Sequence, residues 1–422
     1  MNEAIIKEKL KENFLSYVAM PSQSDEKNEN VPSSVGQLLF AQKLEKELED
    51  LGLVDIKINE FGVLQAKLPT TTQKSLANIG WVCHLDTVNV GLSDRIHPQV
   101  IKDYDGKDIT LNEEESIVFS TKENPEILSY IGDDIILSDG RSVLGADNKA
   151  AIANVMTALW YLKENRDIKH GNIYIAFVPD EEIGLRGVRK IDFDKFDVDF
   201  AYTIDCCALG ELVYETFNAA SGVVSIKGVS AHPMSAKGVL VNPIMIAHDF
   251  ISMLDRAKMP ENTQNREGYI WITDIKSDVI NCRIDFNIRN HDKEKFENSK
   301  KYLFAAIELL RKRYDKAEIE IEIEDTYANI LDSVDESNKV AIDNLKDIYK
   351  KLEIDAKIIP MRGGTDGSYL STRGILTPNY FTGAHNFHSN KEFLPMNSFY
   401  KSFKVTIELM RGIWTREILS LF

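Results

Sequence analysis

Three apolar runs in the first half of the chain each lead into residues that bind hard or borderline metals. Residues 78–83 run into His84, Leu85 and Asp86. Residues 173–178 run into Asp180, Glu181 and Glu182, and residues 201–204 run into Asp205. If these runs are strands of one open α/β sheet, their carboxyl ends are where ligands collect. His and carboxylate side chains gathered there point to one shared site, with a metal as its occupant. His84 and Asp86 lie two apart on an extended segment and share a face, so Asp86 can fix the tautomer of a metal-bound His84. Cys83 then faces the core. Asp147 stands just ahead of a helix; a carboxylate there can simply complement the helix dipole, yet its two oxygens also suit bridging two metals. Glu181 and Glu182 diverge in extended backbone, so one can bind metal while the other faces the reaction; an acidic surface turn would read the same way.

Two glycine-containing segments near the C-terminus add further candidates. In Arg362-Gly363-Gly364-Thr365-Asp366-Gly367 the glycines let backbone approach a ligand closely. Thr365 or Asp366 could cap a helix whose N-terminus, with Arg362, would hold a carboxylate; an ordinary turn before a helix fits equally. In Thr382-Gly383-Ala384-His385-Asn386-Phe387-His388 either histidine suits a last metal ligand. Spacing alone does not separate His385 from His388.

The elements that must position these groups follow from periodicity. Amphipathic helices are expected over 3–20 and 34–52, the second starting after Pro32-Ser33-Ser34 and stopping near Gly52. Strands are expected near 54–59 and 63–67 and at the run ending in His84. Residues 92–142 read as a polar, loop-rich, acidic flap. A helix over 149–164 follows, and strand–helix alternation through 205 indicates a mostly parallel, helix-covered sheet. After Gly210 the character changes. A long strand run over 214–227, a helix after Pro243, a hairpin near 269–275 and 279–289, a charged helix over 292–314 and the alternating run 319–324 make a strand–helix–strand–strand–helix–strand order. That order is the split βαβ pattern of a ferredoxin-like unit. The expected division is therefore 1–212 and 328–422 for one α/β domain, with 213–327 inserted as an α+β domain.

Composition bounds the function. A chain of 422 residues exceeds one ordinary core. With 43% apolar and 27% charged residues, it has the make-up of a globular protein in water. The formal charge of −16 argues against nucleic acid and against an anionic membrane as partners, since both need a basic surface. No apolar stretch approaches the ~18 residues of a membrane span, and residues 1–8 are too charged for a signal-peptide core. Four cysteines, Cys83, Cys206, Cys207 and Cys282, lack zinc-knuckle or redox-pair spacing, so a reducing cytoplasmic home is expected.

Taken together, His84-Leu85-Asp86-Thr87, Gly145-Ala146-Asp147-Asn148-Lys149-Ala150, Pro179-Asp180-Glu181-Glu182-Ile183-Gly184, Tyr202-Thr203-Ile204-Asp205, Asn218-Ala219-Ala220-Ser221, His232-Pro233, Ala236-Lys237-Gly238-Val239, Arg362-Gly363-Gly364-Thr365-Asp366-Gly367 and Phe381-Thr382-Gly383 occur in one order. In that order the chain resembles the peptidase T family, the tripeptide aminopeptidases, over essentially its whole length. The resemblance implies a catalytic domain with an inserted lid. It implies two Zn2+ ions, with Mn2+ or Co2+ as substitutes: His84 and Asp205 on one, Glu182 and His388 on the other, and Asp147 between them. By the same resemblance His388 rather than His385 is the loop ligand. Asp86 would orient His84, and Glu181 would be the general base acting on a hydroxide that bridges the metals. His232 would donate to the oxyanion. Arg289 and Arg362 would meet the substrate carboxylate, and Asn218 would make a polar contact.

The implied partners are short peptides, tripeptides above all; a homodimer is left open. Asn148, Ala151, Cys206, Cys207, Met234 and His385 depart from the family pattern, which puts substrate preference in doubt more than catalysis. A dipeptidase, carboxypeptidase or N-acyl amino acid hydrolase on the same scaffold is the alternative, and an inactive peptide-binding protein is the non-enzymatic one.

Overall fold

The computed structural model describes residues 2–412. Helix α1 (Glu3–Val18) opens under Asn2, whose side chain accepts from the Ala4 N–H, and it buries Ile6, Leu10, Phe14, Tyr17 and Val18 at helical spacing. Helix α2 (Val35–Leu51) stops at Gly52, whose φ of 86° suits glycine at a helix C-terminus. Strands β1 (Val54–Ile58), β2 (Leu64–Leu68) and β3 (Ile79–His84) follow, then four short strands in the segment read as a flap: β4 (Pro98–Ile101), β5 (Ile109–Asn112), β6 (Ile117–Phe119) and β7 (Ile135–Ser138). Next come α3 (Ala146–Glu164), β8 (Ile173–Val178), β9 (Phe200–Cys206) and β10 (Glu211–Glu215). The chain continues through β11 (Asn218–Lys227), α4 (Pro243–Met253), β12 (Tyr269–Ser277), β13 (Asn281–Asn290), α5 (Lys293–Arg313) and β14 (Glu318–Tyr327). It closes with α6 (Val340–Lys351), β15 (Lys357–Pro360), α7 (Asp366–Thr372), β16 (Asn379–Phe381), β17 (Phe393–Pro395) and α8 (Met396–Met410).

Two compact units divide these elements. The first holds residues 1–214, 333–359 and 365–422, and the second holds 215–332 and 360–364. An eight-stranded sheet in the order β1-β2-β8-β3-β9-β16-β10-β15 organises the first unit. Its parallel part is the centre, β8-β3-β9-β16, while β1, β2 and β10 pair antiparallel on the flanks. Every residue of β3 and β8 is buried, as expected for parallel strands covered on both faces. The second unit has strand order β12-β13-β11-β14, antiparallel throughout, which is the ferredoxin-like arrangement. Gly222 on β11 lies opposite Phe286 on β13; a Cβ there would meet the ring at 2.3 Å.

One expectation changes and another gains detail. The apparent single strand over 214–227 is two strands, β10 and β11, which join different sheets. A continuous apolar run does not show where strand partners change, because that depends on chains far away in sequence. The segment 92–142 is loop-rich, as expected, but it is also folded. Its strands are three or four residues long, too short for periodicity to register, yet they bury Tyr104, Ile109, Leu111, Phe119, Ile127, Ile135 and Leu137 in a core of their own that Phe393 completes. No helix among the described residues is long and apolar enough to cross a membrane.

Candidate metal centre

Parallel pairing places His84 opposite Val178, so β3 and β8 end level with each other. β9 joins the other side of β3 and carries Asp205 one residue before its end. His84, the Asp180–Glu182 turn and Asp205 are thus brought to the same carboxyl edge. Asp147 comes to it from the start of α3, where Asp147 and Asn148 still have non-helical backbone after Gly145 at φ 75°. The regular helix therefore begins at Lys149, as the sequence suggested.

His84 Nδ1 lies 3.0 Å from the Asp86 carbonyl and 3.3 Å from Asp86 Oδ1, and Nε2 lies 2.9 Å from Asp147 Oδ1. A proton on Nδ1 is thus held by Asp86, which leaves Nε2 aimed at the centre. The Asp86 carboxylate does more than this. It accepts the backbone N–H groups of Glu181 (3.0 Å) and Glu182 (3.1 Å), tying the histidine to the turn that bears both glutamates. Asp180, with φ 57°, anchors that turn from the other side. It accepts from Ser33 N (2.7 Å), Ser33 Oγ (2.5 Å) and Gln37 Nε2 (2.7 Å), while its own N–H donates to Gln37 Oε1. The Ser33-Ser34 pair, read from sequence as a helix cap, thus serves the site through Ser33; Ser34 makes no side-chain cap bond.

His388 Nε2 lies 3.0 Å from Asp147 Oδ2 and 3.0 Å from Glu182 Oε1. His388 Nε2 thus sits equally close to both carboxylates, and Glu182 Oε1 is buried with no other donor. His385 lies in no ligand group among the described residues; it is hydrogen-bonded to Tyr130 instead. Glu392, to which spacing assigns no role, is 1% exposed and accepts three backbone N–H groups, from Leu144 (2.7 Å), Gly145 (2.8 Å) and Asp147 (3.1 Å). It holds the turn that presents Asp147. The only sequence signal for it was a glutamate directly before an apolar strand. The Thr365/Asp366 ambiguity also resolves: Thr365 caps α7 in a capping box with Ser368, and Asp366 is buried with Oδ1 unpartnered.

Three groups of ligand atoms result among the described residues, His84–Glu181–Glu182, His84–Asp147–Asp205 and Asp147–Glu182–His388, each with its atoms within 4.8 Å of one another. Asp147 belongs to the last two, which together use every ligand the resemblance implies and leave Glu181 beside them. The electrostatics fit a pair of cations. Burial, followed by repulsion from Asp147, raises Glu182 to about 7 and holds Asp205 well above the carboxylate range. Burial also raises Glu181 well above it, with Asp205, Glu182 and Asp366 adding to the effect and His84 opposing it. For His84, burial favours the neutral ring, but bonds to Asp147 and Asp86 outweigh it and hold the imidazolium. Bonds to Asp147 and Glu182 raise His388 to about 11. Without a cation, these protons balance a crowd of buried carboxylates. A metal ion can replace them, and His/carboxylate sets of this kind suit Zn, Mn or Co. Cys206 is buried and Cys207 half-buried; burial pushes both thiols up, away from the thiolate a metal would need.

A pH dependence follows for the ion-free chain. Glutamates whose folded pKa exceeds the unfolded one bind extra protons when folded, so their contribution is present at low pH and is lost as pH rises through about 7. His388, raised from its ordinary value to about 11, acts in the same direction once pH passes the unfolded value near 6.5. In chelator, calorimetry should therefore show the melting midpoint falling from pH 5 to pH 8. A midpoint that rises over this range would contradict the charge assignment.

The four expected substrate contacts all lie in the second unit. His232 is exposed, and its Nδ1 accepts from Met234 N at 3.2 Å, so the proton of the neutral ring sits on Nε2 as a free donor. Arg289 donates to the Ala220 and Ile288 carbonyls and stacks on Tyr327. Arg362 donates to Asn265 O, Glu267 O and Thr263 Oγ1 between the rings of Phe217 and Tyr269. Asn218 is buried, with its amide engaged by His291, Asp332 and Asn329.

Comparison with known proteins yields consistent matches. The profile of peptidase family M20/M25/M40 matches residues 144–412. A peptidase T-like protein of Yersinia pestis is 51% identical over 401 residues, covering 95% of this chain and 97% of the relative. A peptidase T of Caldanaerobacter subterraneus is 41% identical, covering 95% and 98%. Among solved structures, aminopeptidase PepT from Bacillus cereus has the same fold, with a TM-score of 0.73 at 22% identity, covering 96% of this chain and 98% of that one.

Proposed function

The chain belongs to peptidase family M20/M25/M40, and on that premise we propose that it is a metallo-aminopeptidase that removes the N-terminal residue of tripeptides. The observation that carries the reading is Asp147 shared between two ligand groups at the end of a parallel sheet, with Glu181 beside them. His84 and Asp205 would hold one ion, Glu182 and His388 the other, and Asp147 both; zinc is the ion proposed. Bound there, two such ions polarise the scissile carbonyl and lower the pKa of water.

The chain's own residues do the rest. Glu181, its basicity raised by burial, takes the proton of the attacking water and returns it to the leaving amine. Asp86 keeps both His84 and the Glu181 backbone in place. His232 Nε2–H is the donor assigned to the developing oxyanion, and Arg289 and Arg362 are assigned to the substrate carboxylate. Residues 215–332 would act as the lid. Four free cysteines fit a cytoplasmic enzyme.

The test is release of N-terminal residues from a tripeptide panel by zinc-reconstituted protein. Dipeptides and N-acyl amino acids run alongside, with a chelated sample as control. Tripeptide turnover lost on chelation supports the proposal. Turnover of only dipeptides or acyl substrates would overturn the tripeptide assignment and leave the metal centre standing.

A further inference from the structure

His388 sits on the connection between β16 and β17; the ends of this connection are held by Thr382 and Gly383 N–H bonds to the Cys206 and Cys207 carbonyls and by Glu392, but its middle has little support of its own. Its backbone makes one isolated bridge, between His385 and Phe393, and Asn386 and His388 have φ of 58° and 60°, a region that non-glycine residues seldom adopt. The His388 side chain is 45% exposed. Left alone, such a loop would have to be ordered each time an ion is captured, and its affinity would fall accordingly.

The segment 92–142 supplies the missing support. Tyr130 Oη and His385 Nε2 are hydrogen-bonded at 2.7 Å. Asn386 Nδ2 donates to the Glu126 carboxylate at 2.6 Å and to Asn124 Oδ1 at 3.2 Å. Lys391 Nζ donates to the Val118 carbonyl (2.7 Å) and Asn390 Nδ2 to the Gly140 carbonyl (2.9 Å). The His385 ring stacks on Phe393 at 4.8 Å, and Phe393 is itself part of the segment's core, edge-on to Phe119 at 5.6 Å. Bonds on both sides of His388 thus end on one element, and that element lies outside the 144–412 stretch that the family profile covers.

We propose that residues 92–142 are a clamp that preorganises the His388 loop and so sets the affinity of the second of the two metal ions, with Tyr130, Glu126 and Asn386 as its positioning residues. The inference rests on the two-ion reading above. It also gives His385 a place: the side chain sits three residues from the ligand and serves as the clamp's handle rather than as a ligand.

The experiment is titration of the metal-free full chain with Zn2+ against a chromophoric chelator, resolving two binding steps. Variants are Glu126→Ala, Asn386→Ala, their double variant, and Tyr130→Phe, which keeps the ring packing and removes only the hydroxyl. One step should be unchanged and the other weakened about 10–100-fold, the range usual for residues that support a ligand. The double variant should be no worse than the poorer single, because both remove the same bond. The proposal is overturned if both steps weaken equally, which marks a general structural role, or if neither moves by more than about twofold. A wild-type chain that takes up fewer than two ions would overturn it together with the two-ion reading. Two ions bound normally by every variant would overturn the clamp alone.

Discussion

Glu181→Gln should keep both metal ions and lose on the order of 10²- to 10⁴-fold in kcat, the scale of a general base removed. Glutamine matches the glutamate in size and leaves the backbone N–H of residue 181 free to donate to Asp86 Oδ1, so the turn has no reason to move. Glu181 does lie near His84 and Glu182; it is nevertheless outside the two groups that share Asp147, so ion content should be unaffected. KM should change little, since a base acts in the transition state rather than in binding. Measuring kcat and zinc content on the same preparation checks this. A variant that is equally inactive but has lost an ion would make Glu181 a ligand, and one with wild-type kcat would remove it from the chemistry.

Asp147→Ala should affect both ions together. Asp147 Oδ1 faces His84 Nε2 at 2.9 Å and Oδ2 faces His388 Nε2 at 3.0 Å, so its two oxygens serve the two halves of the centre. Removing it takes a ligand from each group at once. Both binding steps should weaken by more than the ~100-fold at the upper end for supporting residues, and turnover should fall below detection at stoichiometric zinc. The contrast with the clamp variants is the useful part: they should weaken one step, and Asp147→Ala both. Retention of either step at wild-type affinity would break the assignment of Asp147 to both groups.

Much of this centre could be read along the chain. The three strand runs and the residues at their ends were visible because buried parallel strands are short, continuous and apolar, and whatever follows them is at the sheet's edge. The split βαβ order of the second unit was visible for the same reason: each element carries its own period. Less legible were the residues that act through another. Glu392 and the Ser33–Gln37–Asp180 set make their bonds to backbone or to side chains more than 140 positions away. Neither local propensity nor spacing marks such partners.

The sequence by itself determined which residues arrive at the sheet's edge, since strand period and length are local properties enforced by burial. It also determined that His84 and Asp86 share a face. The tertiary structure decided what period and spacing could not: which of His385 and His388 meets the carboxylates (in agreement with the choice the family resemblance implied), where the 214–227 run divides between two sheets, and that 92–142 is a folded support with its own core. These depend on loop paths and strand partners set by contacts across hundreds of positions. A chain's own periodicity does not carry that information, because the same apolar run or loop histidine satisfies several long-range arrangements equally well until the rest of the fold excludes all but one.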